Sequence, residues 1–171
     1  MAHHRHEARP AMTDVTGTHS SRPTLYLDDL KVGDRFTSAK LRIDADQIRQ
    51  FARQFDPQPF HLDEEAAKGS FFGGLVASGW HTAAISMRLL VAGGLPLAGG
   101  LIGASTSIEW PNPTRPGDLL HVESEIVSIT PSRSRPERGT LRVRSRTLNQ
   151  RDEPVQIAET KVLVFRRPTQ A

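Results

Sequence analysis

Asp56 and His61 stand five residues apart in the run Asp56-Pro57-Gln58-Pro59-Phe60-His61, with two prolines between them. A carboxylate and an imidazole facing one point form a general acid–base pair, one taking a proton while the other gives one. The prolines give the spacing its meaning. Each fixes its own φ and biases the residue before it toward extended backbone. A helix that precedes this run cannot continue through it, and the spacing predicts a stiff, extended elbow from Asp56 to His61. Each residue also has a plainer reading on its own: Asp56 as a turn residue before Pro57, His61 as a hydrogen-bonded histidine leading into a helix cap at Asp63.

Elements that must position the pair can be read on both sides of it. Leu30 to Phe36 reads as a turn entering a first strand, which Leu41 and Ile43 continue by alternation. Asp44 and Gln47 have capping-box spacing, and Ile43 and Ile48 occupy the two positions of a hydrophobic staple. Ile48, Phe51, Ala52 and Phe55 then recur at helical spacing, and Pro57 stops the helix at Asp56. Asp63 caps a short helix through Lys68. Ser78 caps a longer one from Gly79 to about Val91, which Gly93-Gly94 ends. Ala83, Ala84, Met87, Leu90 and Val91 make that helix apolar over a wide arc, as for a helix gripped by a curved sheet. Four strand-like segments follow, at about 101–111, 118–130, 139–150 and 154–166. A helix-rich half followed by a run of strands predicts an α+β domain with an antiparallel sheet.

Asp56, Pro59, His61 and Ala67 form the pattern D-x-x-P-x-H followed by x5-A, and residues 73–80 read G-G-L-V-A-S-G-W. This resembles the signature of the MaoC-like acyl dehydratases, the (R)-specific enoyl-CoA hydratases. The resemblance spans about residues 24–167, with its motifs inside 50–120. It implies a single hot-dog domain, an antiparallel sheet wrapped around a long central helix. It also implies a homodimer in which two sheets join edge to edge near the sites. The implied reaction is reversible addition of water to a 2-enoyl-CoA-type thioester, giving the (R)-3-hydroxyacyl thioester. In that reading Asp56 orients and deprotonates the water while His61 assists and shuttles the proton.

Hydration also needs a donor for the negative charge that builds on the thioester oxygen. If Ser78 caps the long helix, the Gly79 amide lies in the first turn, without an intrahelical partner and at the positive end of the dipole. Gly79 N–H is therefore the candidate oxyanion donor, with an ordinary helix cap as the alternative. Pro59, Ser78, Trp80 and His81 complete the candidate substrate-binding set around it. Packing in the core or between subunits is the competing role for Trp80, His81, Phe71, Phe72 and Trp110. Arg133 and Arg135, in a loop with Arg138, could grip the phosphates of coenzyme A. Arg142, Arg144 and Arg146 share one strand face and read as a solvated exterior. Some relatives carry a polar residue about two turns after the helix glycine; the matching position here is Met87, with Ser86 beside it.

Composition narrows the remaining classes. The chain has 171 residues, net charge +3 and no cysteine, so thiolate chemistry and disulfides are excluded. Residues 133–151 hold seven arginines against the single acid Glu137, so the basic character is local and nucleic-acid binding is not inferred. Residues 1–22 hold four of the seven histidines and are read as a disordered tail ahead of a 23–168 domain. The first twenty residues carry no apolar signal, and glycines break the uncharged run after Arg88, so neither secretion nor membrane insertion is expected and a cytoplasmic location is. No histidine has carboxylate or cysteine partners at ligand spacing and no glycine-rich phosphate loop is present. The expectation is no metal and no cofactor beyond the coenzyme A of the substrate. Two competing functions remain: a hot-dog thioesterase, for which this elbow would be unexpected, and a non-catalytic acyl-CoA-binding protein.

Overall fold

The computed structural model describes residues 24–168. The predicted tail at 1–22 lies outside the described residues. A 3-10 turn, Leu27–Asp29, leads into the short strands β1 (Arg35–Thr37) and β2 (Leu41–Arg42). The helices α1 (Ala45–Phe55), α2 (Pro59–Leu62), α3 (Glu64–Lys68) and α4 (Gly79–Leu89) follow. The chain then runs through β3 (Ile102–Glu109), β4 (Leu119–Pro131), β5 (Arg138–Leu148) and β6 (Pro154–Phe165).

All six strands form one antiparallel sheet ordered β1-β4-β5-β6-β3, with β2 also paired to β4. This is the hot-dog arrangement of sheet and helix. The four long strands begin and end within two residues of the sequence reading. The first strand, expected to continue from Phe36 through Leu41 and Ile43, is broken. Ser38 interrupts it: Val122 N–H donates to Ser38 Oγ at 2.9 Å, so a side chain takes a place in the ladder and the edge splits into β1 and β2.

Local signals set the helix starts. Asp44 accepts from Gln47 N–H at 2.8 Å, and Gln47 Oε1 accepts from Asp44 N–H at 3.0 Å, closing the capping box. Ile43 and Ile48, the staple pair, are fully buried. They belong to a core with Leu75, Ile85, Leu89, Leu120, Val122 and Val155 between the helices and one end of the sheet. A second core, with Leu27, Leu95, Ile126, Leu141, Val143 and Val164, fills the other end. At Gly139 a Cβ would come within 2.8 Å of the Thr130 carbonyl, so only glycine lets the β4–β5 hairpin close there.

The face of α4 is a correction. His81, Thr82, Ile85, Ser86 and Leu89 are the buried residues of α4, while Ala84, Met87 and Val91 are exposed. The apolar arc does not point into the sheet. The inward polar residues are tolerated because they bond: Thr82 Oγ1 donates to Thr114 Oγ1 at 2.9 Å, and Ser86 Oγ lies 2.6 Å from Thr147 Oγ1. After Leu89 the helix widens into a π turn, Leu90–Gly94, that closes on Gly93 at φ 131°.

Arg142, Arg144 and Arg146 point outward from β5 and alternate with the buried Leu141, Val143 and Ser145. Arg146 pairs with Glu123 on β4 at 2.7 Å, and Arg142 and Arg144 pair with Glu159 on β6. Glu123 and Glu159 pair all three arginines across the strands, making this an ionic outer face.

Candidate active site

Asp56 ends α1, and its N–H still bonds back to Ala52. The extended elbow predicted from Asp56 to His61 is shorter than expected. Gln58 is extended, but Pro59 begins one turn of helix, α2, and His61 lies on that turn. Proline suits a first helical position, where its fixed φ is correct and no N–H is needed. The turn brings the His61 ring back toward α1, so His61 Nε2 lies 3.3 Å from Asp56 Oδ2. The His61 side chain is 5% exposed and that of Asp56 19%.

The segment Val76–Ser78 is held on two sides. Val76 N–H donates to Phe60 O, and Ala77 N–H donates to Thr114 O at 2.9 Å. The Val76 carbonyl is thereby aimed at His61, whose Nδ1 lies 2.7 Å from it. A carbonyl oxygen can only accept, so Nδ1 carries the proton. That leaves Nε2 to face the Asp56 carboxylate, as a donor when the ring is protonated and as an acceptor when it is neutral. At 3.3 Å the pair is in direct contact, and when the ring is neutral a water lying beside it can donate to both. Such a water has its lone pairs free to attack.

Asp56 is kept ionised. Burial pushes its carboxyl pKa up, but hydrogen bonds from the Ser78 hydroxyl and from Gln58, and the charge and hydrogen bond of His61, outweigh that and lower it. Gln58 Nε2 donates to Asp56 Oδ1 at 2.8 Å. Ser78 Oγ also accepts from Trp80 N–H at 3.2 Å, so one hydroxyl caps α4 and orients the carboxylate. Removing the donor in Ser78→Ala should raise the Asp56 pKa. The acid limb of the kcat/KM profile then moves to higher pH, at a cost in stability of about 1 kcal/mol from the lost cap. An acid limb unmoved in the folded variant would show that Ser78 only caps the helix.

Asp56, His61, Ser78, Gly79, Trp80 and Trp110 line one cavity of about 400 Å³. Gly79 is the first residue of α4, where its amide has no intrahelical carbonyl to bond. Trp110 lies flat on it: a Cβ at Gly79 would meet the indole at 2.8–3.1 Å. Trp80, 62% exposed, meets Trp110 edge-on with ring centroids 5.6 Å apart. Pro59 starts α2 and does not line the cavity.

His81 and the two loop arginines are not brought to this cavity. His81 is buried beneath α1 and stacks on Phe51 with centroids 4.5 Å apart and planes 2° from parallel. It lines a separate cavity with Gln47, Gln54 and Arg88. Arg133 and Arg135 follow the far end of β4, whereas the cavity lies where β3 ends and β6 begins. Thirteen-residue β4 separates them from the pair, about 40 Å of extended chain. Ser86 bonds Thr147, so the support of Asp56 comes from Ser78 and Gln58 instead of the second turn of α4. Sequence reasoning missed Gln58, although an amide between two prolines and beside the carboxylate was a usable signal. It also missed Thr114 and Gln156, which carry no local signal. Among the described residues no three His, Asp or Glu side chains gather as a metal site.

His81 gives the domain an acid sensitivity. Burial, and then the charge of His61, lower its pKa from 6.5 to about 4, and its Nδ1 has no partner. The unfolded chain takes up this proton as pH falls through 6.5, while the native chain does not until about 4. Native stability is therefore full above pH 6.5 and falls as pH drops toward 4, by at most about 3 kcal/mol. His81→Leu should flatten that part of a urea-unfolding pH series; an unchanged slope would assign the loss to other groups.

Known proteins resemble this chain over most of its length. The family model for the MaoC like domain matches residues 30–148. The crystal structure of a MaoC-like dehydratase from Rhodospirillum rubrum is 66% identical, with a TM-score of 0.84 over 85% of this chain and 99% of that one. The uncharacterised protein YdeM of Bacillus subtilis is 36% identical over 83% of this chain and all of its own length. A 3-hydroxybutyryl-CoA dehydratase from Methylorubrum extorquens is 33% identical over 65% of this chain and 69% of its own.

Proposed function

Because the chain belongs to the MaoC-like dehydratase family, whose members are hydratases and dehydratases, we propose that it reversibly hydrates a 2-enoyl-CoA-type thioester to the (R)-3-hydroxyacyl thioester. The observation that carries this reading is the Asp56–His61 pair, a carboxylate oxygen and an imidazole nitrogen 3.3 Å apart in a lined cavity, with Nδ1 of the ring held by Val76.

A water held beside Asp56 Oδ2 and His61 Nε2 donates to both when the ring is neutral. As its oxygen attacks the β-carbon, Asp56 accepts the leaving proton, and His61 Nε2 relays it to the α-carbon. The O–H bond broken is balanced by the α-C–H bond formed, so the enzyme ends as it began. Charge built on the thioester oxygen is met by Gly79 N–H, where the α4 dipole favours it. Dehydration follows the same path in reverse. No cofactor is required beyond the coenzyme A of the substrate.

The acyl-CoA reading draws support from the dehydratase of M. extorquens, named for a hydroxyacyl-CoA. Homodimerisation is part of this proposal. β3 is an edge strand exposed along nearly its whole length, and Met87 and Val91 leave apolar surface uncovered on α4. Among the described residues no helix is long and apolar enough to cross a membrane; a cytoplasmic site of action is the remaining part of the proposal. The 1–22 tail is placed outside the catalytic domain in this scheme. The test is loss of enoyl-thioester absorbance across a panel of 2-enoyl-CoAs. Turnover supports the proposal. Release of free thiol without hydration would make the protein a thioesterase, and tight binding without either reaction would make it an acyl-CoA-binding protein.

A further inference from the structure

Two compartments meet at one pair of side chains. The catalytic cavity, about 400 Å³, includes Thr82 of α4, Trp110 just after β3 and Val155 of β6. A second groove of about 280 Å³ includes Ser86 of α4, Ile108 of β3 and Gln156 of β6. Three chain segments thus run from one compartment into the other. On the β3 and β6 segments the change falls at Trp110 and Gln156. These two are bonded to each other: Trp110 Nε1–H donates to Gln156 Oε1 at 3.0 Å, and Gln156 is 4% exposed.

Three contacts hold the indole in place. Its nitrogen is latched to Gln156, its face rests on Gly79 and it makes a T-shaped contact with Trp80. Beyond it the groove is lined by small or apolar side chains, among them Ala83, Met87, Leu90 and Ala158. That lining would accept a hydrocarbon chain if the way were open. With the latch closed, a chain growing from the reacting carbons ends against the indole.

We propose that Trp110, latched by Gln156, is the wall that ends the acyl pocket and restricts the protein to short-chain acyl thioesters. The proposal rests on the hydratase reading above and adds the acyl length to it. Trp110 acts by touching the substrate; Gln156 is a positioning residue that holds Trp110.

The experiment compares kcat/KM for crotonyl-, octenoyl- and dodecenoyl-CoA in the wild type, Trp110→Ala, Trp110→Phe and Gln156→Met. The wild type should favour crotonyl-CoA. Trp110→Ala should raise the dodecenoyl-to-crotonyl ratio at least about tenfold, the scale on which a pocket discriminates a missing or extra methylene. Gln156→Met keeps the size of the side chain and frees the indole, so it should shift the ratio in the same direction by less. Trp110→Phe, smaller and unlatched, should fall between. A wild type that hydrates dodecenoyl-CoA as well as crotonyl-CoA overturns the proposal and leaves the hydratase reading intact. So do unchanged ratios in folded variants. If the wild type hydrates nothing, the hydratase reading fails and binding decides the wall. Calorimetry with butyryl- and lauroyl-CoA then supports it if the wild type prefers butyryl and the variants lose that preference. Equal binding of the two, or binding of neither, overturns it.

Discussion

Asp56→Asn is expected to lower kcat/KM for 2-enoyl-CoA hydration by about a hundred- to ten-thousand-fold, the range for loss of a positioned acid or base. The substitution keeps the shape of the side chain. It removes the proton acceptor and turns one carboxylate oxygen into an NH2 that can donate to His61 Nε2, 3.3 Å away in the native pair. The water would then lose both acceptors at once, one by replacement and one by occupation. His61→Ala should cost a similar factor, because Nε2 is the ring atom free for proton transfer once Nδ1 is held by Val76. Groups that act as one unit are not additive. The double variant should therefore be little worse than either single one. Hydration within about tenfold of wild type in Asp56→Asn, a step smaller than the usual acid–base contribution, would remove the pair from the mechanism. A multiplicative loss in the double variant would mean that the two residues act in separate steps.

Gly79→Ala should be the second severe change, and it should act in two separable ways. The added Cβ would sit 2.8 Å from Trp110 Cε2, so the indole must move. Overpacking of this kind costs about 1–3 kcal/mol, more than alanine returns through helix propensity. The melting temperature should fall. The methyl group would also crowd the approach to the Gly79 amide, and loss of one oxyanion donor costs about a hundred- to a thousand-fold in kcat. Adding Trp110→Ala to Gly79→Ala relieves the clash. If the amide is the oxyanion donor, the double variant regains thermal stability and kcat stays low. Recovery of both would reduce Gly79 to a packing residue.

Much of this architecture was legible in the sequence because its causes are local. Asp44, Gln47, Ile43 and Ile48 are neighbours in the chain, and they form the capping box and staple their spacing implied. The four long strands follow from alternation and turn residues, each within a few positions of the other. Asp56 and His61 were recognisable because the groups and the prolines that set them apart lie in one short run. Even there the local rule was incomplete. Pro59 satisfies an extended elbow and a first helical position equally well, and Asp63 N–H, which bonds back to Pro59 O, favours the turn.

What lay beyond the sequence is what depends on long-range register. The side of α4 that faces the sheet was read as the apolar one. The loop after β3 and strand β5 instead supply Thr114 and Thr147, hydroxyls 32 and 61 residues from their partners, which make the polar side the buried one. The tautomer of His61 depends on a carbonyl 15 residues away, and the acyl wall on a bond between residues 46 apart. Arg133 and Arg135 share the charge of a phosphate grip, but the hairpin carries them to the wrong end of the sheet. The sequence by itself determined the elements, their caps and the acid–base pair, because caps and periodicity act over a few residues. The tertiary structure alone decided which groups face that pair, because strand pairing brings together residues whose separation in the chain carries no information about their distance in space.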